Sequence, residues 1–82
     1  MSQTIPLSEA KKGDLVTIES IHNESLSVQL LCMGCMVGEE ILIEQIAPLG
    51  DPMMISIDGA LLSLRIDDAK EINVLTQKEK RG

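Results

Sequence analysis

Gly50-Asp51-Pro52-Met53-Met54-Ile55-Ser56-Ile57-Asp58-Gly59-Ala60-Leu61-Leu62-Ser63-Leu64-Arg65 is the stretch from which the fold can be read. Asp58 and Gly59 alone separate Ile57 from Ala60, and both tolerate the positive φ of a two-residue type I′ turn. Residues then pair outward from the turn: Ile57 with Ala60, Ile55 with Leu62, Met53 with Leu64. Directly opposed residues share a sheet face. One face therefore carries Met53, Ile55, Ile57, Ala60, Leu62 and Leu64, all apolar, and the other Met54, Ser56, Leu61, Ser63 and Arg65. A slip of one residue would mix the two sets, so the hydrophobic pattern itself fixes this register.

On the N-terminal side, Gly38 opens a strand that runs through Ile41, Leu42, Ile43 and Ile46 to Ala47. Before it the apolar spacing is helical: Leu26, Leu30 and Met33 fall at i, i+4 and i+7, with Leu31 alongside. Asn23 is placed to cap that helix, Glu24 to Met33, and Gly34 to end it. Leu15 to Ile21, rich in β-branched residues, reads as a strand. Leu7 to Ala10 reads as one helical turn with Ser8 as its cap, and Met1 to Thr4 as a loose arm. After the hairpin, Asp67-Asp68-Ala69 suits another single turn and Glu71 to Leu75 a last strand; Lys78 to Gly82 reads as a frayed polar tail. The fold expected is mainly β: a small, strongly bent SH3-like barrel of about five strands with one short inserted helix and single helical turns. The 82 residues make a single domain, its core about residues 7 to 75.

Composition excludes several functions. The chain has no Phe, Tyr or Trp, so it lacks the stacking platforms of single-strand binders, each of which contributes about 1–3 kcal/mol per base. Its net charge is −6, and three of its seven basic residues (Lys78, Lys80 and Arg81) crowd the last five positions. A phosphate backbone would be repelled, so nucleic acid is not an expected partner. No apolar run is long enough to span a bilayer, and no charged segment precedes a secretory-type apolar one. Two cysteines without an export signal point to a reducing cytoplasm.

Cys32-Met33-Gly34-Cys35 is the one motif with chemical promise. A redox dithiol places its first thiol at a helix N-terminus, whereas Cys32 falls near a helix C-terminus, where the dipole disfavours thiolate. As half of a zinc site, Cys32 and Cys35 have only His22, the sole histidine, to add, so closing four ligands requires a carboxylate or a second chain. Asp67-Asp68 point apart and suit a helix start. No glycine-rich phosphate loop is present. The chain therefore reads as neither an enzyme nor a cofactor carrier. Arg65, at the outer strand end, has Asp67 and Asp68 as local ion-pair candidates or else meets a partner. Met54 and Leu61 are diagonal neighbours on the outer hairpin face and mark an apolar contact site there, one that also allows weak self-association.

Leu30-Leu31-Cys32-Met33-Gly34-Cys35-Met36-Val37-Gly38, then Ala47-Pro48-Leu49-Gly50-Asp51-Pro52, then Leu62-Ser63-Leu64-Arg65 with Ala69 following, closely resembles the FeoA family of ferrous iron transport proteins. The likeness runs from Leu7 to Leu75. It implies a cytoplasmic accessory protein that regulates FeoB, the membrane GTPase-linked ferrous iron transporter, by binding its cytoplasmic part, and that meets the membrane only through it. Cys35 stands in a slot the family usually fills with an aliphatic residue and Cys32 in a variable one, which argues against a shared dithiol. The contact surface expected, from exposed apolar side chains together with this likeness, combines the helix Ser25 to Met33, the Gly34 to Gly38 turn and the outer hairpin face, with Met36, Met54, Leu61 and Arg65 as contact residues. Related barrels also occur in iron-dependent regulators of the DtxR type, the alternative within the binding class. A thiol oxidoreductase or zinc-binding protein built on Cys32-x-x-Cys35 is the alternative outside it.

Overall fold

A computed structural model of the chain describes residues 2–77. Its elements, in chain order, are β1 (Ser2–Pro6), a 3-10 turn (Leu7–Glu9), β2 (Leu15–Ile21), α1 (Glu24–Cys32), β3 (Glu40–Ile46), β4 (Met53–Ile57), β5 (Ala60–Leu64), α2 (Ile66–Ala69) and β6 (Ile72–Gln77). The strands form one antiparallel sheet in the order β1-β6-β2-β3-β4-β5. The protein is thus mainly β, with short helical segments set into the connections.

The β4–β5 hairpin has the expected register, Met53↔Leu64 through Ile57↔Ala60. Asp58 and Gly59 both have positive φ, 51° and 86°, which suits the right-handed twist of the two strands. Met53, Ile55, Ile57 and Leu64 are buried. Leu62 is half-buried, and Ala60, beside the turn, is exposed. On β4 the buried inner face thus reaches the turn at Ile57, whereas on β5 it fades toward the turn through Leu62 and Ala60.

The sheet has six strands, one more than the alternation patterns reveal. The addition is β1: residues expected to form a loose arm pair with β6, Ser2↔Gln77 through Pro6↔Asn73. Its partner lies at the far end of the chain, so no local pattern announces it. The interruptions in register, between Ile18 and Ser20 against β6 and between Ile43 and Gln45 against β4, are β-bulges that bend β2 and β3. That bending lets one sheet wrap a single core drawn from five strands. Val16, Ile18, Ile41, Ile43, Met53, Ile55, Ile72 and Val74 are at most 1% exposed, and Leu64 of β5 joins them at 5%.

The remaining corners are closed locally. Asn23 Oδ1 accepts from Leu26 N at 3.0 Å, capping α1 as its sequence indicates. Pro6, not Ser8, precedes the 3-10 turn, and no side chain caps it. Three residues suffice there because Leu7 and Ala10 are pinned in the core. Asp51 Oδ1 accepts from Ile66 N at 3.0 Å, so the turn before the hairpin holds the start of the helix after it.

Candidate interaction surface

The end of α1 decides what the two cysteines can do. Gly34, with φ +84°, reverses the chain; Gly34 N donates to Leu31 O at 3.0 Å and Cys35 N to Leu30 O at 2.8 Å. This bond pair is the Schellman motif, in which the residue after the glycine packs back on the last inward-facing residue of the helix. Cys35 is that residue: 1% exposed, in the core with Leu30, also at 1%. Burial first, and the nearby charge of Glu39 second, push its thiol above its ordinary value. Cys32, the last helical residue, is exposed, and both cysteines are free thiols. The spacing thus separates them, one inside and one outside.

His22 lies at the end of β2, exposed, and its backbone N donates to Glu71 O at 2.7 Å. Asn73 Nδ2 donates to His22 Nε2 at 2.9 Å, and the Ser20 hydroxyl lies 3.2 Å from the same nitrogen. Ser20, near the end of β2, and His22, just beyond it, are two apart in the chain, a proximity the sequence contains but a search for catalytic spacing passes over. The ring nitrogen is already engaged by both neighbours. Surface clefts of about 440 and 340 Å3 are lined by none of Cys32, Cys35 and His22. Among the described residues no three His, Cys, Asp or Glu side chains gather as a metal-ligand set.

What α1 offers instead is an apolar outer surface. Leu26 and Leu30 are buried, whereas Val28, Leu31 and Cys32, spaced i, i+3 and i+4, form the opposite face and are exposed. Met33, at i+7 from Leu26 in the helical spacing, is the C-cap, with φ −97° and ψ 6°, and is 50% exposed. Cys35 takes the inner place instead. Met36 and Val37 follow at 45% and 60% exposure, so apolar side chains meet solvent from Val28 through Val37. The hairpin's outer face is smaller: Leu61 is 63% exposed, and Met54 only half-exposed opposite Ser63. Arg65 is exposed and forms no ion pair with Asp67 or Asp68; the salt bridge found among the described residues joins Lys70 to Asp67 at 3.9 Å. Arg65 acts through its carbonyl, which accepts from Asp68 N and Ala69 N and starts α2.

Comparison with known proteins places this surface in context. The family model of the FeoA domain matches residues 5–75. The chain belongs to the FeoA family. A solved FeoA-like protein from Clostridium acetobutylicum is 36% identical, with a TM-score of 0.85 over 100% of this chain and 96% of its own. Stenotrophomonas maltophilia FeoA, solved with zinc and described as a prokaryotic SH3 domain protein, is 27% identical at a TM-score of 0.73, covering 85% of this chain and 88% of that one. The SH3-like fold expected from the sequence is therefore the fold of the family. IdeR of T. acidophilum is 20% identical at a TM-score of 0.79, over 90% of this chain and 34% of its own, a likeness of fold alone. A search of curated proteins finds no match.

Proposed function

We propose that this FeoA-family protein is a cytoplasmic accessory of ferrous iron uptake, acting without chemistry of its own by docking on the cytoplasmic part of the FeoB transporter. The observation that carries the reading is the set of exposed apolar residues Val28, Leu31, Met33, Met36 and Val37 along α1 and the turn after it. Exposed contiguous apolar surface on a small domain marks a contact site. Family membership supplies the system: the S. maltophilia relative is described as possibly acting as a bacterial ferrous iron transport activating factor. Burial of Cys35 and the helix-end position of Cys32 speak for binding over dithiol exchange. No helix among the described residues is long and apolar enough to cross a membrane.

Met36 is the best single probe of the contact, being exposed and outside both helix and core. Met54, Leu61 and Arg65 on the hairpin form a second, smaller contact. Docking changes transport only if the protein prefers one transporter state, since equal affinity shifts no equilibrium. The test is a titration against the transporter's cytoplasmic domain loaded with GDP or with a GTP analogue. A difference of about fivefold or more between the states is expected, with Met36→Glu weakening both without loss of fold. Equal or absent binding in the two states sinks the regulatory reading.

A further inference from the structure

The sheet has two edges, β1 and β5, and they are guarded differently. Free strand edges invite pairing with other chains, and proteins blunt them with charge, proline or bulges. β1 ends in Pro6 and carries polar Gln3 and Thr4. β5, Ala60-Leu61-Leu62-Ser63-Leu64, has no charge and no proline, and its ladder with β4 is unbroken.

The register also states which groups of β5 face outward. In a two-residue hairpin the residues flanking the turn are hydrogen-bonded to each other, and such pairs alternate along the ladder. Ile57–Ala60, Ile55–Leu62 and Met53–Leu64 are those pairs. The N–H and C=O groups of Leu61 and Ser63 therefore point to the open edge, and no other backbone bond among the described residues engages them.

We propose that the β5 edge pairs antiparallel with the β5 edge of a second copy, about a two-fold axis at Leu62. Three features select this occupant. Centring on Leu62 sets Leu61 opposite Ser63 of the second copy, and each such pair exchanges both N–H···O bonds. The same centring joins inner face to inner face: Leu62 meets its counterpart, and exposed Ala60 lies opposite Leu64. Third, the strand has Asp58 at one end and Arg65 at the other, both exposed. Antiparallel pairing sets Arg65 opposite Gly59 of the second copy, one residue from its Asp58, at both ends. A parallel pairing would set like against like.

The contact is small. A five-residue strand falls well short of the roughly 800 Å2 per partner of a stable interface, so the dimer is weak and reversible. Each copy carries a net charge of −6, and their repulsion is screened as salt shortens the Debye length to about 8 Å at 0.15 M. Salt thus strengthens the dimer.

Sedimentation equilibrium between about 10 μM and 1 mM, at low and moderate salt, tests the idea over the range where a weak interface forms. The expected result is a mass rising from 8.9 kDa toward twice that value, more so at higher salt. Ser63→Pro removes an edge donor and leaves the β4 ladder whole; it should weaken association at least tenfold. Leu61→Lys supplies the missing guard without touching the core and should do the same should the proline variant misfold. Hydrogen exchange gives an independent reading: protection at Leu61 and Ser63, and not at Leu62, should grow with concentration. A monomer at every concentration overturns the proposal and leaves the edge to an extended segment of another protein. A dimer protected instead along residues 28 to 37, or unaffected in a folded Leu61→Lys variant, overturns it equally.

Discussion

At the scale of single residues, position relative to the core decides chemistry more than residue type does. Cys32 and Cys35 are three apart, yet one faces solvent and the other lies in the core. An alkylating reagent should modify Cys32 at the rate of a free thiol. Cys35 should react only on opening, roughly a hundredfold or more slower for a domain of about 3–5 kcal/mol. Peptide mapping of the labelled protein checks this, and equal rates would refute the burial of Cys35. Because its native thiol is raised by burial and by Glu39, the folded state holds that proton more tightly than the unfolded chain does. Its stabilising effect is fully present below the ordinary thiol value, about 8.5, and is lost as pH climbs from there through the native value. Urea midpoints at neutral and alkaline pH should therefore fall more steeply for the wild type than for Cys35→Ala. The variant itself costs roughly 1 kcal/mol, of the order of one buried methylene. Asp51 works at the same scale by a different means. Asp51→Ala should cost about 1 kcal/mol through loss of the bond to Ile66 N, and Asp51→Asn, which keeps an acceptor, should recover most of it.

Elements are held mainly by their ends. Gly34 stops α1 with φ +84°, and a Cβ there would meet nothing within 4 Å. The cost of Gly34→Ala is then purely conformational, about 1–2 kcal/mol, and Gly34→Asn should cost less because Asn visits this region more readily. Thermal melts of the pair check it; equal losses would mean that packing decides the position. Such end signals made much of the fold legible from sequence. Asn23, Gly34 and Asp58-Gly59 each impose a local geometry, and α1 and the hairpin follow from them, while β2 is read from its β-branched residues. Three features were not legible because their causes are not local. β1 depends on a strand at the other end of the chain, Cys35 rather than Met33 takes the inner place where the turn folds back on Leu30, and Arg65 serves α2 through its carbonyl while its side chain makes no ion pair among the described residues. Of the proposed contact surface, the helix Ser25 to Met33, Met36 in the turn after it and Leu61 on the outer hairpin face were readable from the sequence. The outer stripe of Val28, Leu31 and Cys32 is visible in the same helix once Leu26 and Leu30 are assigned to the core, since i, i+3 and i+4 then point away from it.

For the molecule as a whole, size sets how function can be probed. An 82-residue domain without aromatic residues has one aliphatic core, and a core of this size supplies about 3–5 kcal/mol of net stability. Truncating a fully buried isoleucine to alanine costs about 2–5 kcal/mol, the same range. Ile41→Ala, at a position 0% exposed, should therefore leave much of the protein unfolded at 37 °C. Ile55→Val, a single methylene lost at 1% exposure, should cost about 0.5–1.5 kcal/mol. In a domain of this length each kcal/mol lowers the melting temperature by about 4–8 °C, so the valine variant should melt several degrees early and still fold. Surface variants behave otherwise: Met36→Glu and Leu61→Lys remove exposed apolar area and should leave the melting temperature within about 2–4 °C of wild type, since changes away from the core stay within ±0.5 kcal/mol. Calorimetry of the four variants side by side decides the matter. A melting temperature for Met36→Glu as low as that of Ile55→Val would show that the Val28-to-Val37 surface is part of the folding core, and its apolar exposure would then no longer argue for a docking site.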